Sequence, residues 1–238
     1  MTEKYNDTIK RIQPIAEKFI RDNNIAHPIE DSLSVLSDMG FYIIKAIAPN
    51  NLSGFYMKKD KFPFIFVNTA HSLGRQNFSL WHEVYHHYMK HQNGISDFTS
   101  NIIVEREAEI FAGIVLLPDQ EIIKWSEKYD IKKPQTIARM SEYYQMSFNA
   151  IVIRGIQLGR IDFATYYQLK KLSTIEYHQE LQFIYKENNL NTSVIEPTHD
   201  IKVSPNIMDI LVNNYKKNLT TSDKINEIIN EIGVLNDA

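Results

Sequence analysis

His82 and His86 lie four residues apart in the stretch SLWHEVYHHYMKH (79–91), with Glu83 between them. On an α-helix that spacing puts both imidazoles on one face about one turn apart, where they can meet at a single cation. Glu83 is rotated by about 100° from His82, which sets its carboxylate beside such a cation, within reach of a water it can deprotonate. This is the His-Glu-x-x-His arrangement of zinc hydrolases. Zinc used for hydrolysis takes three protein ligands and keeps one position open, so a third ligand is expected from another segment. The run VEREAEIF (104–111) offers it. Glu105 and Glu109 are one turn apart on one face, and Glu107 points about 200° away. We expect Glu105 to complete the set, and Glu109 to act as an outer acceptor that orients one imidazole N–H. Carboxylates in so apolar a helix are costly to bury without a cation or donor, which supports a metal independently of the histidines.

The chemistry these residues justify is metal-assisted hydrolysis, with Zn²⁺ as the expected ion and Mn²⁺ as the alternative. Water acidified at the ion gives its proton to Glu83, which then delivers it to the leaving group. The oxyanion that develops needs a donor, for which Tyr56, Arg75 and Tyr85 are candidates by type. His87 and His91 form a second pair one turn apart but have no glutamate between them, and are expected to face solvent. His27, His71, His178 and His199 lack spaced partners and read as structural or surface residues.

Several elements must position this group. Helical periodicity covers 5–22 and 28–38, the latter closing at Gly40. Runs of β-branched and aromatic residues at 41–48, 52–59 and 62–68, separated by PNN and DK, predict a small sheet. After a linker, HSLGRQN (71–77), the histidine helix is expected over 78–92, stopped by Asn93 and Gly94, with a loop GISDFTS before the acidic helix that ends at Pro118. Residues 134–161 outline a helix, a turn and a second helix N-capped by Ser147. The remainder shows helical patterns. The fold class is therefore α+β and mostly helical, in three parts: a hydrolase domain over 1–125, a helix-turn-helix-like segment over 126–162, and a helical C-terminal extension over 163–238.

With 26 Lys and Arg against 29 Asp and Glu, the net charge is −3, so no global cationic field draws the chain to nucleic acid or anionic lipid. There is no cysteine, which excludes thiolate metal sites and disulfides and suits a reducing cytoplasm. No apolar run approaches the roughly 18 residues of a membrane span, and the charged N-terminal pattern has no signal-like core. A cytoplasmic location is expected. Residues 131–161 hold a modest basic patch, Lys132, Lys133, Arg139, Arg154 and Arg160 against Glu142. Yet the second helix offers only Asn149, Arg154 and Gln157 as polar groups, too few aimed side chains to read a groove. Packing or partner docking is favoured over DNA contact. The tail is expected to dock on the protein's own core, with a homodimer as a further option.

The segments SGFY, FIFVN, RQNFSLWHEVYHH and EREAEIFAGIVLLP, in this order and spacing, resemble the ImmA/IrrE family of metallo-endopeptidases. The similarity extends over about 28–162 and includes the helix-turn-helix outline. The chain departs from the family pattern at Val84 and Tyr85, where Leu-Gly is common, and at Glu109, where Asn or Asp is common. The resemblance implies a zincin-like fold and a zinc endopeptidase that cleaves a helix-turn-helix repressor, switching on genes of a mobile element or stress response. A rival reading is a non-catalytic regulator on the same scaffold that binds repressor or DNA without cutting. Metal content and chelator-sensitive fragments separate the two.

Overall fold

Alternation of buried and exposed positions turns the aromatic runs into three strands, β1 (Tyr42–Ala46), β2 (Gly54–Lys59) and β3 (Phe62–Asn68). In this computed structural model, which describes residues 5–91 and 102–234, they form a four-stranded sheet in the order β2-β3-β1-β4. β1 runs parallel to β3, from Tyr42 opposite Phe64 to Ala46 opposite Asn68. β2 is antiparallel to β3, with Gly54 opposite Val67 and Lys59 opposite Phe62. The fourth strand, β4 (Lys202–Val203), adds antiparallel to the far side of β1. It lies in the C-terminal extension, in the Pro-containing segment between the helical patterns, where two residues are too few to show a strand period. Asn68 ends β3 and is fully buried. Its side chain accepts from the Ala48 and Ala70 amides and donates to the carbonyls of Ala48, Pro49 and Leu52, which folds the β1–β2 loop over the strand end.

Helices cover the sheet, giving a mixed α+β fold. α1 (Tyr5–Asp22) buries Ile12, Ala16 and Phe19 against α4 (Ile102–Leu116), which in turn packs on α3 (Leu73–Tyr88). α2 (Ser32–Asp38) is N-capped by Asp31, whose carboxylate accepts from the Leu33 and Ser34 amides. α3 begins five residues before the expected start at Phe78. Most of the segment read as a linker, LGRQN, is its first turn and a half, and its glycine is there for packing. A Cβ on Gly74 would lie 2.4–2.9 Å from the backbone of Met146 and Ser147. The expected stop at Asn93 and Gly94 and the loop 94–100 lie outside the described residues. Among the described residues, no helix is long and apolar enough to cross a membrane.

The helix-turn-helix outline is present as α6 (Pro134–Tyr144), a left-handed Gln145, and α7 (Phe148–Gln157), preceded by α5 (Asp119–Lys128). It is docked on the preceding part of the chain, among other contacts through the bare Gly74, the Asn77 Nδ2 bond to the Gln145 carbonyl (3.0 Å), and Arg154. Arg154 is 2% exposed. It crosses α4 where Gly113 leaves room, donates to the Leu117 carbonyl, and pairs with Asp119. Phe148, Ala150, Ile151, Val152 and Gly155 of α7 are buried as well. The basic patch is correspondingly reduced, since Arg154 is internal and Lys132 is paired with Asp162 at 2.7 Å.

α8 (Phe163–Lys171), α9 (His178–Glu187) and the 3₁₀ turn Thr192–Ile195 follow. Leu181, Tyr185, Val194 and Ile195 join the main core, and the Leu73 amide at the head of α3 donates to the Glu196 carbonyl. Ser204 Oγ accepts from the Ile43 amide before the chain enters α10 (Pro205–Lys216) and α11 (Ser222–Val234). The C-terminal extension is thus woven into the sheet and into the start of α3.

Two consequences can be measured. Gly to Ala inside a helix normally stabilises by about 1 kcal/mol. Gly74→Ala should instead destabilise by at least about 2 kcal/mol through overpacking, read as a lower urea midpoint. Lys45 of β1 is 4% exposed and sits opposite Lys202. Burial pushes its pKa down to about 8 from 10.5, helped by Lys202 and opposed by Asp200 and Asp31. Between these two values the unfolded chain binds the extra proton, so stability rises with pH across this window. Lys45→Met should add on the order of 2–3 kcal/mol at pH 7, and the advantage should fade as pH approaches 10.5, by thermal melts in that series.

Candidate metal centre

The side chains of His82 and His86 project from one face of α3 onto the first turn of α4. His82 Nε2 lies 3.0 Å from Glu105 Oε2, His86 Nε2 lies 3.3 Å from His82 Nε2, and His86 Nε2 is 3.7 Å from Glu105 Oε1. One ligand atom from each residue falls within 4.8 Å of the others, so the three form a group able to hold a metal ion. Tetrahedral coordination with bonds of about 2.0–2.1 Å separates neighbouring ligand atoms by roughly 3.3 Å. Two imidazole nitrogens and a carboxylate oxygen at these separations fit zinc or another borderline divalent ion.

Glu83 is 3% exposed, and one carboxylate oxygen, Oε2, is buried without a hydrogen-bond partner. The backbone N–H of Tyr56 donates to the carboxylate. Burial pushes the Glu83 pKa up to about 7, with Glu105 adding to the rise and His82 and the Tyr56 amide opposing it. Burial also pushes His86 down to about 4, reinforced by His82 and His91 and opposed by Glu105. For His82 burial is outweighed by the hydrogen bond to Glu105 and by the charges of Glu83, Glu105 and Glu109, and its pKa rises. The hydrogen bond from His82 lowers Glu105 despite burial.

The position of Glu83 follows from how α3 runs along β2. A Cβ on Gly54 would be 2.7 Å from the Phe66 carbonyl and 3.7 Å from Ser79 Cβ, so the missing side chain lets helix and strand approach. One helical turn further on, Glu83 meets the amide of Tyr56, two residues along the strand. Four helical residues advance about 6 Å, and two strand residues about 6.6 Å, so the two elements stay in step. The SGFY segment therefore aligns the base of HEVYH.

A family model, Peptidase_M78, described as the IrrE N-terminal-like domain, matches residues 37–154. Residues 37–154 belong to this IrrE-like metallopeptidase family. A search of curated proteins gave no match. The IrrE-like domain spans β1 to β3, the ligand-bearing helices α3 and α4, and α5 to α7 as far as Arg154.

Within the IrrE-like domain the outer partners of the site differ from expectation. Glu109 is exposed and makes no hydrogen bond to His82 or His86. It lines a neighbouring cleft. The imidazole partner is His91, expected to face solvent, whose Nδ1 lies 3.1 Å from His86 Nδ1. Helical spacing concealed this because the helix ends earlier. Lys90 is left-handed (φ 57), its amide donates to the His87 carbonyl, and the His91 amide donates to the His86 carbonyl. This reversal folds His91 back over His86.

His87, the other member of that pair, is half-buried against Phe41, with Nδ1 2.8 Å from the Tyr56 hydroxyl. Tyr56 therefore serves the site through its main chain. Tyr85 is excluded as an oxyanion donor. It is wholly buried and its hydroxyl donates to Glu107 at 2.5 Å. Glu107, which the helical period pointed away from the site, is itself buried and paired with Arg11 at 2.7 Å. Arg75 donates from Nη2 to Ser53 Oγ at 2.8 Å and stands exposed at the cleft, with its remaining donors available.

With Nε2 of His86 turned toward the ligand group, its Nδ1–H donates to His91. Removing such a partner costs roughly 10–100-fold in metal affinity. His91→Ala should lower zinc affinity by that factor with an unchanged melting temperature of the metal-free protein, measured by competition with a chromogenic chelator.

Proposed function

We propose that the chain is a zinc-dependent endopeptidase of the cytoplasm, with manganese as the alternative ion and a helix-turn-helix repressor as substrate. The observation that carries the hydrolytic reading is the buried, half-unpartnered Glu83 carboxylate beside three convergent ligand atoms. The repressor as substrate, and the consequent release of mobile-element or stress-response genes, rest on the family resemblance.

His82, His86 and Glu105 would hold the ion, which when bound supplies polarisation of a carbonyl and acidification of water. Glu83 receives the water's proton on its carboxylate, while the Tyr56 amide fixes the orientation of that group. Burial raises the affinity of the Glu83 carboxylate for a proton, which suits a side chain that takes a proton from water and returns it to the departing amine. Arg75 is the remaining side-chain donor for the oxyanion among the three candidates.

A peptide substrate suits the sheet. Among the described residues β2 pairs only with β3, and the Tyr56 N–H points away from β3 to Glu83. Main-chain groups two residues to either side, at Gly54 and Lys58, face the same way. An extended polypeptide can therefore add to this outer strand beside the base.

Glu83→Gln should retain about one zinc per chain, by elemental analysis, and lose at least about 100-fold in cleavage of the repressor. Wild-type cleavage should stop on chelation and return with zinc. Full activity in Glu83→Gln, or cleavage indifferent to chelator, would contradict the assignment.

A further inference from the structure

A cleft of ≈ 530 Å³ opens where α3 and α4 face α7, α8 and α9. Its volume lies within the range of ligand sites, about 300–1,000 Å³. Two of its walls begin at the metal centre. Phe78 is one turn before His82 on α3, and Glu109 is one turn after Glu105 on α4, so both lining residues lie on the ligand-bearing faces. The cleft therefore adjoins the ligand group along both helices.

The cleft also holds an unmet hydrogen bond. Asn149 Oδ1, at the start of α7, is buried and has no partner, whereas buried polar atoms are nearly always paired. It needs an N–H donor. Around it, Phe78, Ile153 and Leu181 provide apolar wall. A polypeptide offers both kinds of group at once, a backbone N–H at every residue other than proline and a side chain beside it.

We propose that this cleft binds the substrate polypeptide to one side of the scissile bond, taking a bulky apolar side chain against Phe78, Ile153 and Leu181 and a main-chain N–H at Asn149 Oδ1. The inference rests on the peptidase reading of the metal centre, and extends it to what the enzyme selects.

The test uses full-length, zinc-loaded Glu83→Gln protein, so that binding is seen without cleavage. The probes are fluorescein-labelled ten-residue peptides in which one Leu or Phe is moved along a Gly-Ser background, with the plain background as control, read by anisotropy. Peptides with the apolar residue should bind saturably and the control should not. Asn149→Leu should weaken binding about tenfold while holding or raising the melting temperature, since it removes an unpaired buried acceptor. Ile153→Trp, which fills the cleft, should weaken binding at least as much, and both variants should keep their zinc. A merely structural Asn149 would lower the melting temperature and leave peptide affinity alone, which overturns the proposal, as does equal binding by the parent and both variants. If wild-type protein cuts no peptide but the variants still lose capture, the peptidase reading fails and the binding site stands. Cleavage by wild-type protein with unaltered capture in the variants overturns the binding site and leaves the peptidase reading intact.

Discussion

The packing of α4 against α3 is the contact on which the rest depends, because it carries Glu105 to two imidazoles that the helix alone can only bring to each other. Trp81, Val84 and Tyr85 on α3 and Ala108, Phe111 and Ala112 on α4 are essentially inaccessible. Burial of each large side chain contributes about 1.5–3 kcal/mol, enough together to offset crowding His82, His86, Glu83 and Glu105 into a poorly solvated space. On the same interface Glu107 receives the Tyr85 hydroxyl and the Arg11 guanidinium, fixing the rotation of α4 about its axis. That rotation decides which of the three acids meets the histidines. The opposed shifts of His82 and His86 follow from the same crowding: the carboxylates around one imidazole favour its proton, and a second charge beside it is then disfavoured on the other.

Spacing along one helix was enough to place His82, Glu83 and His86, since the helical period depends only on backbone geometry. Glu105 was reachable by asking what a three-ligand ion still required. The three aromatic strands were legible within two residues at each end, because each has a buried face. What could not be read was anything requiring a reversal or a long-range neighbour. His91 reaches His86 through a left-handed residue that is a lysine, where glycine would have signalled the turn. Tyr56 matters through a main-chain amide, on which the sequence is silent. The segment around Gly74 read as a linker, whereas it is helical and its glycine admits the backbone of residues 146 and 147.

The helix-turn-helix segment shows how one local pattern serves two ends. Turn chemistry at Gln145 and the Ser147 cap specify the angle between two helices, but nothing in them says which face is outward. Here the second helix is turned inward, and its arginine ties the C-terminal end of α4 and the start of α5 through the Leu117 carbonyl and Asp119. Gly113 belongs to the same arrangement, since a Cβ there would press on Arg154 Cδ at 3.0 Å. The segment is a brace for the helix that bears Glu105.

This brace also gives the molecule a division of labour. The ligand atoms, Glu83 and the strand that orients it all lie within the matched span, residues 37–154. The cleft next to them is closed on its other side by Lys170, Ser173, Thr174, His178, Leu181 and Ile195, all beyond that span. These residues are held by contacts that return to the domain, the Glu196 carbonyl at the Leu73 amide and the Tyr185 hydroxyl on Ser141 Oγ among them. In the proposed peptidase the hydrolytic group thus lies inside the matched span, and the segment after α7 completes the wall of the proposed substrate cleft. On that proposal the helices that meet at Glu105 carry the chemistry, and the chain that wraps around them bears on the choice of substrate.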